Sequence, residues 1–281
     1  EISYGRLLNL SLRMAAYLQK QFDIKPGDNV ALILPNCMQF QIMMLAIHFC
    51  GATAVNINPE YTECELEFVL SDSQVKAVII LDLFASKLKS IQEKLGISYL
   101  MQTSIVDCLP FVKRHMVGAV IKYIFKKKST KSIAFKHNFK VAIRRYSVGV
   151  FKSVAIDDSA IAFLQYTGGT TGKPKAAMLS HRNMLANVAQ ISQWFGETLK
   201  PGKEIALVAL PLYHIFSLTV NCMLQMSLGA KAILITDPRD FKHFFKQLHK
   251  HKFTVFAGVN TLFNRMIHYS GMSDVDFSFL K

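Results

Sequence analysis

The sequence predicts an α/β fold in which helices flank a mostly parallel sheet. Short apolar runs alternate with segments of helical spacing through the first 80 residues, and the same alternation resumes after residue 160. Hydrophobic residues make up 51% of the 281 positions, enough to bury a large core. Strands that alternate with helices form parallel sheets, because each crossover helix returns the chain to the same end of the sheet.

Six elements are predicted in the first 80 residues. They are a helix over Tyr4–Phe22, a strand over Val30–Leu34, a helix over Met38–Phe49, a strand over Thr53–Ile57, a helix over Glu63–Leu70 and a strand over Val75–Leu81. A Lys-Pro-Gly-Asp turn at 25–28 and a Pro-Asn pair at 35–36 separate the first three, since Pro and Gly interrupt regular structure.

Regular elements return at Ile161. The predicted order is a strand over Ile161–Gln165, a loop over Tyr166–Lys175, a helix over Arg182–Phe195, and strands over Ile205–Leu210, Lys231–Ile235 and Thr254–Ala257. We therefore expect a first α/β subdomain over residues 1–155, with a basic insertion at about 108–156. A second α/β subdomain over 156–281 is expected to contain the loop and to be incomplete.

Two uncharged runs, 29–59 and 205–230, are longer than the about 20 residues that a membrane-spanning helix needs. Pro, Gly, Asn and Gln interrupt both runs, which favours a buried strand, a turn and a buried helix in series. The five cysteines are scattered without a C-x-x-C pair, which favours reduced thiols over a disulfide framework or a zinc site.

The net charge of +14 is concentrated in one stretch. Between Cys108 and Ile156 there are twelve Lys and Arg residues and no acidic residue, so the rest of the chain has a charge of only +2. Phe111–Phe125 is predicted to form an amphipathic helix and Lys126–Lys140 a surface loop. Lysines interleaved with apolar residues are typical of contact with anionic lipid, and a solvated lysine-rich loop is the alternative. Nucleic-acid binding is less favoured because no recognised motif is present.

One loop contains an unusual density of Gly, Thr and Lys. Its ten residues are Tyr166, Thr167, Gly168, Gly169, Thr170, Thr171, Gly172, Lys173, Pro174 and Lys175. Glycines let the main chain approach a ligand, and successive N–H groups form an anion-binding nest. Threonine hydroxyls and lysine ammonium groups add donors and positive charge. The predicted strand before the loop and helix after it place it where α/β folds bind ligands. Pro174 after Gly172-Lys173, and the lack of an earlier Gly at the required spacing, exclude a Walker A loop.

The sequence here resembles the adenylate-forming superfamily of acyl-CoA synthetases, luciferases and peptide-synthetase adenylation domains. Leu164–Lys175 matches the phosphate-loop signature of that superfamily, and Leu210–Phe216 is similar to its next motif. Thr236–Asp240 and Gly258–Phe263 look closest to bacterial long-chain fatty-acid–CoA ligases. The resemblance covers nearly the whole chain and implies the large N-terminal domain of the adenylate-forming fold, in truncated form.

The resemblance also implies roles for particular residues. Residues 166–175 are expected to bind the phosphates of ATP, and His214 to lie beside the acyl carboxylate as a catalytic and substrate-binding residue. Gly258, Val259, Asn260 and Thr261 are expected to line the acyl or nucleotide pocket. Mg²⁺ is implied as well, with Thr171 as a candidate ligand, although the family's Tyr-Gly-x-Thr-Glu segment is absent.

The function expected from the resemblance is activation of a long-chain fatty acid by ATP to acyl-AMP, followed by transfer to coenzyme A. The chain is expected to be a fragment that is inactive alone. Two alternatives remain: a ligase for an aryl or medium-chain carboxylate, and a nucleotide-binding, membrane-associated module without turnover. Its expected partners are fatty acid, ATP and CoA, without nucleic acid. The expected location is the cytoplasm, peripheral on the inner face of a membrane through residues 111–145.

Overall fold

A computed structural model describes residues 1–110, 116–117, 135–168 and 174–281. The chain separates into two compact units. Unit 1 comprises Glu1–Leu34 and Met38–His181, and unit 2 comprises Pro35–Cys37 and Arg182–Lys281. The expected division into two subdomains near residue 155 stays a prediction, because compact units in a structure do not by themselves define subdomain boundaries.

Unit 1 contains a seven-stranded sheet in the order β5-β4-β3-β1-β2-β6-β7. The strands are β1 (Asn29–Ile33), β2 (Thr53–Asn56), β3 (Ala77–Leu81), β4 (Tyr99–Thr103), β5 (His137–Asn138), β6 (Ile161–Thr167) and β7 (Lys175–Ser180). Every neighbouring pair is parallel except β6 and β7, which are antiparallel. The predicted α/β class with a mostly parallel sheet is therefore confirmed.

Helices flank this sheet. They are α1 (Tyr4–Gln21), α2 (Met38–Phe49), α3 (Glu63–Asp72), α4 (Lys89–Leu95) and α5 (Phe139–Arg145), with a 3₁₀ segment over Asp82–Leu88. All five residues of β3 are buried, as expected for a parallel strand covered on both faces. Leu66 and Val69 of α3 and Ile91 of α4 pack in the same apolar cluster as alternate residues of β1 and β3.

Unit 2 contains a three-stranded parallel sheet in the order β10-β8-β9. Its elements are α6 (His181–Phe195, whose first residue is in unit 1), β8 (Ile205–Val208), α7 (Ile215–Ser217), a π-helical segment over Leu218–Met223, α8 (Leu224–Ser227), β9 (Lys231–Leu234), α9 (Phe241–Lys250), β10 (Val255–Phe256) and α10 (Asn260–Ile267). Phe244 and Phe245 of α9 pack with Leu207 of β8 in the main apolar cluster.

The two uncharged runs fold as predicted. The first forms β1, α2 and β2, and the second forms β8 and the helical segments after it. No helix within the described ranges has both the length and the apolar composition needed to cross a bilayer. The five cysteines, all in described ranges, form no disulfide.

Two predictions were wrong in detail. The helix expected after the Gly/Thr/Lys loop is preceded by β7, which pairs back onto β6. Its sequence, Lys-Ala-Ala-Met-Leu-Ser, contains no β-branched or aromatic residue, so local propensity did not indicate a strand. The surface loop predicted to Lys140 ends early, because β5 begins at His137 and Phe139, 1% exposed, enters the core. Most of that loop, and nearly all of the helix predicted over Phe111–Phe125, lie outside the described residues.

Candidate functional site

The predicted phosphate loop begins where β6 ends. β6 pairs in parallel with β2, with Asn56 opposite Gln165, so the carboxyl ends of both strands meet at one edge of the sheet. Thr167 and Gly168 are exposed at this edge, and Lys175, also exposed, begins β7 opposite Thr167. Pro174 is half-buried, and Gly169, Thr170, Thr171, Gly172 and Lys173 lie outside the described residues. The described ends of the loop therefore face solvent at the edge where parallel sheets bind ligands.

Tyr166 anchors the end of β6. Its ring is 6% exposed and packs in the core cluster of unit 1, and its hydroxyl donates to Asp72 Oδ2 at 2.5 Å. Burial and the adjacent Asp72 carboxylate raise the pKa of the Tyr166 phenol well above its usual value. The phenol is thus committed to the core and to α3, and Tyr166 itself is paired with Ala176 of β7.

A buried amide pair lies at the same end of β2 and β6 and was missed by sequence reasoning. Asn56 Nδ2 donates to Gln165 Oε1 at 3.4 Å, and both side chains are at most 4% exposed. Asn56 Oδ1 has no hydrogen-bond partner among the described residues. Polar residues at the ends of otherwise apolar strands were the available signal. Because Asn56 and Gln165 are opposite each other in the ladder, this hydrogen bond links the ends of β2 and β6 beneath the loop.

His214 lies in the turn that follows β8 in unit 2. Its N–H donates to Pro211 O at 3.0 Å, and its carbonyl accepts from Leu218 N at 2.9 Å. The imidazole is exposed, with its ring centroid 5.6 Å from that of Tyr213. The main chain of His214 is therefore fixed by hydrogen bonds while its ring remains accessible to a ligand.

The segment 258–261 opens on the same edge of the unit 2 sheet as His214. β10 pairs in parallel with β8, with Phe256 opposite Leu207, so the loops after both strands leave in one direction. Gly258 is half-buried, whereas Val259, Asn260 and Thr261 are exposed. A Cβ atom on Gly258 would lie 2.5 Å from Phe263 Cζ, so the exposed Phe263 ring would have to move if a larger residue replaced this glycine. The structure thus brings both predicted substrate-binding segments to one edge.

Within the described ranges, no group of three or more His, Cys, Asp and Glu side chains is arranged to hold a metal ion. The predicted candidate Thr171 is not among the described residues.

Comparison with known proteins identifies the family. The family model described as "AMP-binding enzyme" matches residues 1–281. The long-chain-fatty-acid–CoA ligase of Salmonella typhimurium is 42% identical over 280 residues, and that of Haemophilus influenzae 41% over 285; these matches cover 99% and 100% of this chain but 50% of each relative.

The fold is also similar to that of a solved structure. A crystal structure of a long-chain-fatty-acid–CoA ligase from Archaeoglobus fulgidus matches 100% of this chain and 50% of its own, with a TM-score of 0.79 at 21% identity. This chain thus spans about half the length of the relatives that it matches. Since the family model matches its whole length, the chain belongs to the AMP-binding enzyme family.

Proposed function

We propose that this chain is the ATP-binding part of a long-chain fatty-acid–CoA ligase. A fatty-acid carboxylate oxygen attacks the α-phosphorus of ATP, the bond from that phosphorus to the bridging oxygen breaks, and pyrophosphate leaves. The sulfur of coenzyme A then attacks the acyl carbon of acyl-AMP, loses its proton, and AMP leaves. The observation that supports the proposal best is the Gly/Thr/Lys loop, whose exposed ends lie at the carboxyl edge of β2 and β6.

The loop would meet the main electrostatic demand of the first step. A carboxylate and a triphosphate repel each other, so the site must supply hydrogen-bond donors and positive charge. Residues 166–175 supply main-chain amides, the hydroxyls of Thr167, Thr170 and Thr171, and the ammonium groups of Lys173 and Lys175. Of these, Thr167 and Lys175 are exposed on neighbouring strands at the loop's ends. We assign this set to the β- and γ-phosphates.

His214 and the segment Gly258–Thr261 are assigned to the acyl side of the reaction. Their common edge in unit 2 and the exposure of His214, Val259, Asn260 and Thr261 support this assignment. Mg²⁺ remains part of the proposal through Thr171, but no step is assigned to it because the described residues form no metal site.

The loop assignment is tested by pyrophosphate release from the full-length polypeptide. Lys175→Met and Thr171→Ala are each expected to lower the rate roughly 100-fold, since under this proposal each removes a donor that stabilises the charge developing on the leaving pyrophosphate. Lys20→Met removes the same charge from the exposed end of α1 and is the matched control. Unchanged rates in both loop variants would refute the assignment. ATP binding without any pyrophosphate release would favour the alternative of a module without turnover.

The substrate class is tested by competition at saturating concentrations. The long-chain assignment is supported by the two bacterial relatives, which are long-chain-fatty-acid–CoA ligases and are 42% and 41% identical over this part. We expect acids of long chain to suppress adenylation of medium-chain and aryl acids in the full-length polypeptide. Preferential use of an aryl or medium-chain acid would instead support the alternative ligase. Residues 1–281 alone are expected not to complete catalysis, and acyl-AMP formation at full-length rates would contradict this.

A second proposal concerns the basic segment of residues 111–145, which we assign to contact with an anionic membrane surface. Within its described part, Val141 on α5 is 63% exposed, and Arg144 and Arg145 in the next turn are exposed too. The segment is attached to α1, since Arg13 Nε donates to Tyr146 O at 2.9 Å. Charge reversal of Lys126–Lys128 to Glu should abolish flotation with anionic vesicles. Neutral vesicles are the control, and binding that survives the reversal would refute lipid contact.

A further inference from the structure

We propose that Asn36 is a positioning residue for His214. The proposal rests on the function assigned to His214 above. Asn36 follows β1 in the chain but belongs to unit 2, where its carboxamide is 3% exposed. It acts through the main chain of the turn that presents the imidazole, not through contact with a substrate.

The carboxamide of Asn36 makes three hydrogen bonds, all to one turn. Its Nδ2 donates to the carbonyl oxygens of Val208 at 3.1 Å and Leu210 at 2.9 Å. Its Oδ1 accepts from the N–H of Leu212 at 2.8 Å. Val208 is the last residue of β8, and its carbonyl also accepts from Ile235 N–H at 3.0 Å, so the amide adds a second donor where the sheet ends. Both N–H bonds of the amide and its oxygen are used, which fixes the path of residues 208–212.

A second set of side chains supports the same turn. Ser217 Oγ donates to Leu210 O at 2.8 Å, and Asn221 Nδ2 donates to Ser217 Oγ at 3.1 Å. The Leu210 carbonyl therefore accepts from two side chains, one from each side of the turn in sequence. Ser217 and Asn221 are fully buried, and Asn221 lies in the π-helical segment, a type of helix that is frequent at functional sites.

The turn over residues 208–212, which Asn36 and Ser217 hold, is close to His214 in the sequence. Leu212 is two residues before His214, and His214 N–H closes the turn onto Pro211 O at 3.0 Å. Because the imidazole itself is exposed, its place is set by the main chain that carries it. A displacement of a catalytic group by about an ångström can lower the reaction rate by a large factor. A change in this turn should therefore affect the chemical step.

Asn36→Asp is the sharpest substitution because the two side chains have the same shape. The aspartate can still accept from Leu212 N–H, but it places an acceptor oxygen opposite the carbonyls of Val208 and Leu210. The matched control is Asn29→Ala, at the other end of β1, which removes a hydrogen bond from Asn29 Nδ2 to Ser73 O of 2.7 Å in unit 1.

The first readout is the nuclear magnetic resonance signal of the His214 imidazole in residues 1–281, identified by its loss in His214→Gln. We expect this signal to move in Asn36→Asp and to stay in place in Asn29→Ala. The second readout is acyl-AMP formation by the full-length polypeptide. We expect Asn36→Asp to lower kcat at least about 10-fold, with little change in KM for ATP, because the phosphate loop is in unit 1.

The two readouts separate the two hypotheses. A His214 signal that is unchanged in folded Asn36→Asp would overturn the positioning role. A signal that moves, together with full activity in both Asn36→Asp and His214→Gln, would support positioning and refute the function assigned to His214. Should Asn36→Asp fail to fold, Ser217→Ala removes the other donor to Leu210 O without adding charge. A smaller shift of the His214 signal is then expected, and no shift would overturn the proposal.

Discussion

Acid should destabilise unit 1 through His48. This side chain lies on α2 and is half-buried, and its ring centroid is 4.7 Å from that of Phe163 and 5.2 Å from that of His181. Its Nε2 is 3.1 Å from Ala162 O, a distance at which the neutral ring donates. Burial, and next the nearby His181, lower the pKa of His48 from 6.5 to about 4, and the Ala162 carbonyl opposes this only partly. The folded chain therefore holds a neutral imidazole at this position.

The sign of the pH effect follows from proton binding. Between pH 4 and 6.5 the unfolded chain binds a proton at His48 that the folded chain does not, so the free energy of unfolding rises with pH. The contribution of neutral His48 to the free energy of unfolding is complete above about pH 6.5 and is lost as the pH falls towards 4. The full loss is about 3 kcal/mol, and about 2 kcal/mol of it occurs between pH 7.5 and 5.

Native-state hydrogen exchange measures this loss locally. Amides of α2 and β6 should lose about 2 kcal/mol of protection between pH 7.5 and 5, after correction for intrinsic exchange. His48→Gln keeps an N–H donor near Ala162 and cannot titrate, so most of the loss should disappear. A remainder is expected from His181, whose pKa is also lowered by burial. The control is His243→Gln on the exposed face of α9. An identical loss in His48→Gln and the unmodified chain would refute the reasoning.

Three substitutions test other contacts by urea unfolding. Tyr166→Phe removes the hydroxyl that donates to the Asp72 carboxylate and should lower the free energy of unfolding of unit 1 by about 2 kcal/mol. An unchanged free energy of unfolding would show that the hydroxyl does not anchor β6. Lys281→Met removes the ammonium group that lies 2.5 Å from the buried carboxylate of Glu204, and it should lower the free energy of unfolding of unit 2 by about 2 kcal/mol. A free energy of unfolding equal to that of the unmodified chain would contradict this. Thr62→Ala breaks the capping box of α3 and should cost about 1 kcal/mol, which a cost near zero would disprove.

The elements that could be predicted are those whose ends are marked by helix- or strand-breaking residues nearby in the sequence. The bounds predicted for α2, Met38–Phe49, match the structure because a Pro-Asn pair precedes the helix and Gly51 follows it closely. Gly51 has a φ of +69°, which glycine adopts without strain. The strand β3 was recognised from its apolar run, although it begins at Ala77, two residues after the predicted Val75, because Lys76 precedes the fully buried residues.

Contacts between distant residues were not predictable from local pattern. β7 forms because the chain reverses after β6 and the sheet edge offers free main-chain groups, which outweighs the weak strand propensity of its two alanines. Tyr166 was expected to bind ATP along with its neighbours, yet its side chain faces Asp72, a residue 94 positions earlier. The loop motif identified the family without showing which of its side chains support the strand.

The two units cannot be separated by a single cut. Asn36 is 172 to 176 positions away from the main-chain groups that it binds, and the chain leaves unit 1 at Leu34 and re-enters it at Met38. A polypeptide beginning at Arg182 would lack residues 35–37. The carbonyls of Val208 and Leu210 would then each lose one of two donors, and the Leu212 N–H would lose its acceptor. Such a piece should fold poorly, and dissection of this protein should use internal linkers or permuted chains that retain residues 35–37. The same long sequence separation should make closure of this unit a late event in folding.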